Sequence, residues 1–150
     1  MSTDGEMTIA IASDADVVPA RAEGRALAGQ LGFSRTDATL IATAISEVAR
    51  NILVHAGSGE VKLQPAYEDR RYGVVVEAKD HGPGITDVDA ALREGYGTKN
   101  GLGLGLPGVH RIMDDFEIET AVGEGTTVRM TKWRPRDELE RLRARQSTAV

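Results

Sequence analysis

The sequence predicts an α+β domain in which helices pack on one face of a mixed sheet. Three observations carry that expectation. After Ser34, apolar residues recur at helical spacing (Ile41, Ala44, Ile45, Val48, Ile52). The unbroken run Val74-Val-Val76 reads as a strand inside a sheet. Two further strand-like runs flank Gly123-Glu-Gly125 in the manner of a hairpin.

In chain order, Thr8 to Ala12 alternates like a short strand and leads into the polar turn Ser13-Asp-Ala-Asp16. Pro19 to Leu31 reads as a helix, with Pro19 suited to its first turn and Gly32 to its end. Ser34 offers an N-cap for the long helix to about Val54, which Gly57-Ser-Gly59 stops. Val61 to Gln64 and Gly73 to Lys79 read as strands joined by a polar turn. A short helical stretch is expected around Val88 to Glu94, between glycine-rich loops at 82–84 and 95–105. Pro107 to Asp114 suggests another helix, and Phe116 to Val122 with Thr126 to Trp133 forms the hairpin. The reading is one domain over residues 1–134, with a charged tail over 135–150 that is either a terminal helix or frayed.

Composition bounds the function. A chain of 150 residues, 41% hydrophobic and 27% charged, suits one globular domain. With aromatics at only 4%, the core must be filled by Ala, Val, Leu and Ile. A net charge of −5 argues against general nucleic-acid binding, which needs a basic patch. The absence of cysteine excludes disulfides and thiolate zinc sites. Met1 to Glu6 has no basic stretch followed by an apolar run, and no segment approaches a membrane span, so a cytoplasmic location is expected.

Four constellations carry chemistry. Glu47 and Asn51 lie one helical turn apart, at the edge of the apolar stripe. A glutamate there can take a proton from a hydroxyl, and an asparagine oxygen is a hard ligand suited to Mg²⁺ beside phosphate. The pair alone also fits a surface hydrogen bond. Asp80 closes the apolar strand ahead of Gly82 and Gly84. Its carboxylate can accept from the amino group of adenine and would repel the guanine carbonyl, although Asp, Gly and Pro also suit a plain turn. The stretch Gly95-Tyr-Gly-Thr-Lys-Asn-Gly-Leu-Gly-Leu-Gly105 places five glycines just before a helix. Its N–H groups can wrap a triphosphate, and Lys99 either reaches a phosphate or is a solvated charge. The stretch lacks the Gly-Lys-Ser/Thr ending of a P-loop. Finally, Thr126, beside the hairpin turn, can bond through its hydroxyl to adenine or to Asp80.

The order of these constellations is more specific than any of them. Glu-x-x-x-Asn on a helix, then Asp-x-Gly-x-Gly, then Gly-x-Gly-x-Gly before a helix, then Gly-x-Gly-Thr resembles the N box and three glycine boxes of the GHKL ATPase and kinase superfamily. The resemblance runs from about Thr8 to Trp133. Thr43-Ala-Ile-Ser-Glu-Val-Ala-Arg-Asn-Ile52, the segment Gly103 to Phe116 and the pair Lys132-Trp133 are similar to one branch, the RsbT-type serine/threonine switch kinases of the bacterial stressosome.

The resemblance implies a Bergerat fold that binds ATP and Mg²⁺. It implies Glu47 as catalytic base, Asn51 as the Mg²⁺ holder and Asp80 as the adenine reader. Gly82, Gly84, Gly101, Gly103 and Gly105 would shape the pocket, with Lys99, Leu102, Leu104 and Thr126 also at the nucleotide. Arg50 is expected in this branch without an assigned role. The implied partners are STAS-domain substrates phosphorylated on serine or threonine, and a PP2C-type phosphatase that the freed kinase activates. Two features depart from the branch: the run after Trp133 is long, and Lys99-Asn100 adds bulk where small residues are common. The alternative is an anti-sigma factor kinase that sequesters a sigma factor.

Overall fold

The structure is a computed structural model that describes residues 5–87, 105–137 and 139–143. Those residues form an α+β domain with five strands and two long helices. Strand β1 (Met7–Ile11) leads through a 3-10 turn (Asp14–Asp16) to α1 (Val17–Gln30) and α2 (Arg35–His55). Then come β2 (Gly59–Tyr67), β3 (Arg71–Asp80), the short helix α3 (Gly105–Ile112), β4 (Asp115–Ala121) and β5 (Gly125–Pro135). The sheet order is β1-β2-β3-β5-β4. Among the described residues every pairing is antiparallel, which corrects the expectation of a mixed sheet. The expected stretch around Val88 to Glu94 lies outside the described residues.

Local chemistry explains the helices. Ser34 caps α2, its Oγ accepting the Asp37 N–H at 3.1 Å. Gly32, at φ +83°, makes the left-handed turn between α1 and α2 that a side chain would resist. Helix α1 presents the small residues Ala20, Gly24 and Ala28 on its buried face. A Cβ on Gly24 would fall 2.0 Å from Ile45 Cδ1, so this glycine sets how closely the two helices approach.

The helices cover one face of the sheet. From α2, Ile41, Ile45, Val48 and Ile52 meet Val61 and Leu63 of β2, Val74, Val76 and Ala78 of β3, and Val128 and Met130 of β5 in one core. The opposite face is largely polar, with Arg129 paired to Glu77 at 3.2 Å beside Val75 and Trp133. The described residues after Trp133 pack on the domain at the far end of β3. Arg134 donates to Leu31 O at 2.7 Å and to the Glu140 carboxylate, and Arg136 N donates to Arg70 O at 2.9 Å.

Candidate functional site

The site gathers at the end of the sheet where β3 stops and β5 starts. Glu47 sits in the fourth turn of α2, and Asn51 follows it by one turn on the same face. Glu47 is buried and Asn51 half-buried. Burial of a carboxylate is costly unless its oxygens are bonded. Here Glu47 Oε2 accepts the N–H of Gly105, the first residue of α3, at 3.2 Å, and Arg50 Nη1 stands 3.8 Å from Oε1. The helix N-terminus is electropositive, so the base candidate and the start of α3 suit each other electrostatically.

Asp80, the last residue of β3, is buried with only 7% of its surface exposed. Among the described residues its hydrogen bonds fall on Oδ1, which accepts Gly82 N at 2.9 Å and Thr126 N at 3.3 Å. Thr126 faces Asp80 across the β3–β5 ladder. Its link to Asp80 therefore runs through the backbone amide, while its hydroxyl meets Thr120 Oγ1 at 2.9 Å.

Gly82 and Gly84 let the turn after β3 sit close to its neighbours. A Cβ on Gly82 would lie 2.6 Å from Ala56 Cβ at the end of α2. On Gly84, at φ +80°, it would lie 2.4 Å from Ala121 O in β4. The space that a side chain at either position would need is filled by the protein's own packing. The two glycines shape the site by placing the turn between α2 and the hairpin. Gly105 is brought to Glu47, whereas Lys99, Gly101, Leu102, Gly103 and Leu104 lie outside the described residues.

One residue that sequence reasoning missed is Thr120. Its Oγ1 accepts Ile85 N at 2.8 Å, donates to Gly125 O at 3.1 Å and receives the Thr126 hydroxyl. It thereby ties the segment after Gly84 to the hairpin. The signal was present in the hairpin register, because pairing about Gly123 sets Thr120 opposite Thr126.

This layout, with a Glu-x-x-x-Asn helix, a buried Asp ending a strand and a glycine-started helix whose first N–H meets the glutamate, is that of a nucleotide-binding ATPase domain. The model of the histidine kinase-like ATPase domain matches residues 11–132, and the chain belongs to that family. Within the family it is similar to Serine/threonine-protein kinase RsbT of Bacillus subtilis (strain 168), at 42% identity over 125 residues, covering 83% of this chain and 94% of that relative. It is also similar to the anti-sigma F factor of Caldanaerobacter subterraneus subsp. tengcongensis, at 32% identity over 120 residues, 76% of this chain and 82% of the relative. For the anti-sigma F factor of Bacillus subtilis (strain 168), identity is 33% over 110 residues, 69% of this chain and 74% of the relative. The branch resemblance drawn from the motifs is therefore borne out. Among the described residues, no helix is long and apolar enough to cross a membrane.

Proposed function

We propose that this chain, a protein serine/threonine kinase of the histidine kinase-like ATPase family, phosphorylates a STAS-domain partner and, once released from it, binds and activates a PP2C-type phosphatase in the cytoplasm. The observation that carries the reading is the buried Glu47 carboxylate held at the N-terminus of α3, one turn from Asn51.

In this reading Asp80 Oδ2 accepts from the adenine amino group while Oδ1 is fixed by Gly82 and Thr126. The Asn51 amide oxygen is suited to Mg²⁺, which would neutralise phosphate charge. Glu47 accepts the proton of the serine or threonine hydroxyl as that oxygen bonds to the γ-phosphorus of ATP and ADP leaves. The 42% identity to a relative named a serine/threonine-protein kinase supports this.

The test is transfer of labelled γ-phosphate to candidate STAS-domain proteins, with a phosphatase-binding assay on the same preparation. Transfer by the native chain and a residual rate lower by about 10²- to 10⁴-fold in Glu47→Gln are expected, with ATP binding intact in both. Unchanged transfer by Glu47→Gln would remove Glu47 from the role of base. Similarity to the anti-sigma F factors favours one second reading, a kinase that sequesters a sigma factor. Binding of a sigma factor instead of a phosphatase would select it.

A further inference from the structure

The pair Lys132-Trp133 has no part in the function as described so far, yet its lysine reaches the end of α3. Lys132 is on the helix-facing side of β5, with its side chain 16% exposed. Its Nζ donates to Ile112 O, the last carbonyl of α3, at 2.9 Å and stands 3.9 Å from Asp114 Oδ1. Asp114 is itself fixed to β5, its N–H donating to Thr131 O at 2.9 Å and its Oδ2 accepting Trp133 N at 2.6 Å.

Helix α3 is thus held by charged groups at both ends, Glu47 at its first N–H and Lys132 at its last carbonyl. Each charge has the sign that its end of the helix dipole favours, and each satisfies a backbone group the helix leaves open. The helix has eight residues, a rigid rod of roughly 12 Å. Buried Leu106 and Val109 fix which face it presents, but apolar contacts resist sliding along the axis less than a hydrogen bond does. A shift at the Ile112 end is passed along the rod to Gly105.

We propose that Lys132 is a positioning residue for phosphoryl transfer: by holding the C-terminal end of α3 it sets where the Gly105 N–H meets the Glu47 carboxylate. This rests on the reading of Glu47 as base. A lysine that merely caps a helix would alter stability alone, and the experiment separates the two.

The full chain is compared with Lys132→Arg, which keeps a donor for Ile112 O, and with Lys132→Met, which keeps the stem and loses the donor. Lys132→Leu, which likewise has no donor, replaces the methionine variant if that one does not fold. Amide exchange of Gly105, followed by NMR without nucleotide, should accelerate by about tenfold or more in Lys132→Met and return towards native in Lys132→Arg. The kcat for transfer to the acceptor found by labelling should fall by about tenfold, with KM for ATP changed less than about twofold. In a Glu47→Gln background the methionine change should cause no further loss. Unchanged Gly105 exchange, or a kcat loss that persists undiminished on top of Glu47→Gln, would overturn the proposal. Failure to find any acceptor would instead overturn the function proposed above, while the exchange measurement, which needs none, still decides whether Lys132 places Gly105.

Discussion

Asp80 shows how a single buried carboxylate is fixed for one task. With Oδ1 held by two backbone N–H groups, the group cannot turn, and Oδ2 keeps one direction. Asp80→Asn retains an acceptor for the internal bonds and places an NH₂ towards adenine, donor against donor. ATP affinity should fall by about 1 to 3 kcal/mol. Equal affinity by calorimetry would end the adenine-reading assignment. Thr120 is the neighbouring case, where one hydroxyl serves Ile85 N, Gly125 O and Thr126 Oγ1. Thr120→Val leaves these groups unmatched and should cost about 1 to 3 kcal/mol in urea unfolding. Thr120→Ser should recover most of that, because it restores the hydroxyl; a serine variant as weak as valine would mean that the methyl contact matters more than the bonds.

At the scale of elements, the turn after β3 is joined to the hairpin, since Gly123 N donates to Pro83 O at 2.8 Å and Gly84 packs on Ala121 O. Gly84→Ala meets both a positive φ and a backbone oxygen that cannot move away. It should destabilise the fold by about 2 kcal/mol or more and weaken ATP binding. Gly29→Ala is the contrasting change, because that helical glycine has open space around its missing Cβ. A gain of about 0.4 to 1 kcal/mol is expected there. Equal effects at the two positions would refute the packing role of Gly84. The long helix was legible because its stripe, its Ser34 cap and its terminal glycines all agree. The strands were legible in place but not in extent. The expected strand stops at Gln64, ahead of Pro65, yet β1 pairs only as far as Leu63, so Pro65 has no partner on that side to disappoint. Gly73 in turn makes room for the Trp133 ring. Strand direction was not legible: the Val74-Val-Val76 run suggested burial on both faces, and Val75 is indeed buried, though in an antiparallel ladder opposite Thr131. The contact from Glu47 to Gly105 spans 58 residues, and no local pattern encodes it.

Across the whole molecule, the candidate site and the C-terminal segment occupy opposite ends of β3, whose ten residues separate them by roughly 30 Å. The segment is fastened by Arg134, which donates to both oxygens of Glu140, and by Arg141, paired with Asp69 at 3.6 Å. The hydrogen bonds from Arg134 hold the Glu140 carboxyl below the usual carboxylate range. The Asp137 N–H and the charges of Arg134 and Arg136 add to this, against a smaller opposing effect of burial. A carboxyl whose folded pKa is depressed contributes stability above its unfolded value, near pH 4.3, and loses that contribution as pH falls through the folded value. The fastening should therefore be complete at neutral pH and fail in acid, below about pH 4. Asp16, held low first by the Ala12 N–H, titrates in the same direction, so the comparison must be with Glu140→Gln and not with neutral pH alone. In proteolysis at graded pH, native protein should become sensitive within residues 136–143 as the solution is acidified, whereas Glu140→Gln should be sensitive there already at pH 7. Calorimetry at pH 7 should give the two proteins the same ATP affinity, since the fastening lies a full strand away from Asp80. A weakened affinity in Glu140→Gln would show that the two ends of the sheet are coupled, and protection of the segment that does not change with pH would show that Glu140 does not hold it.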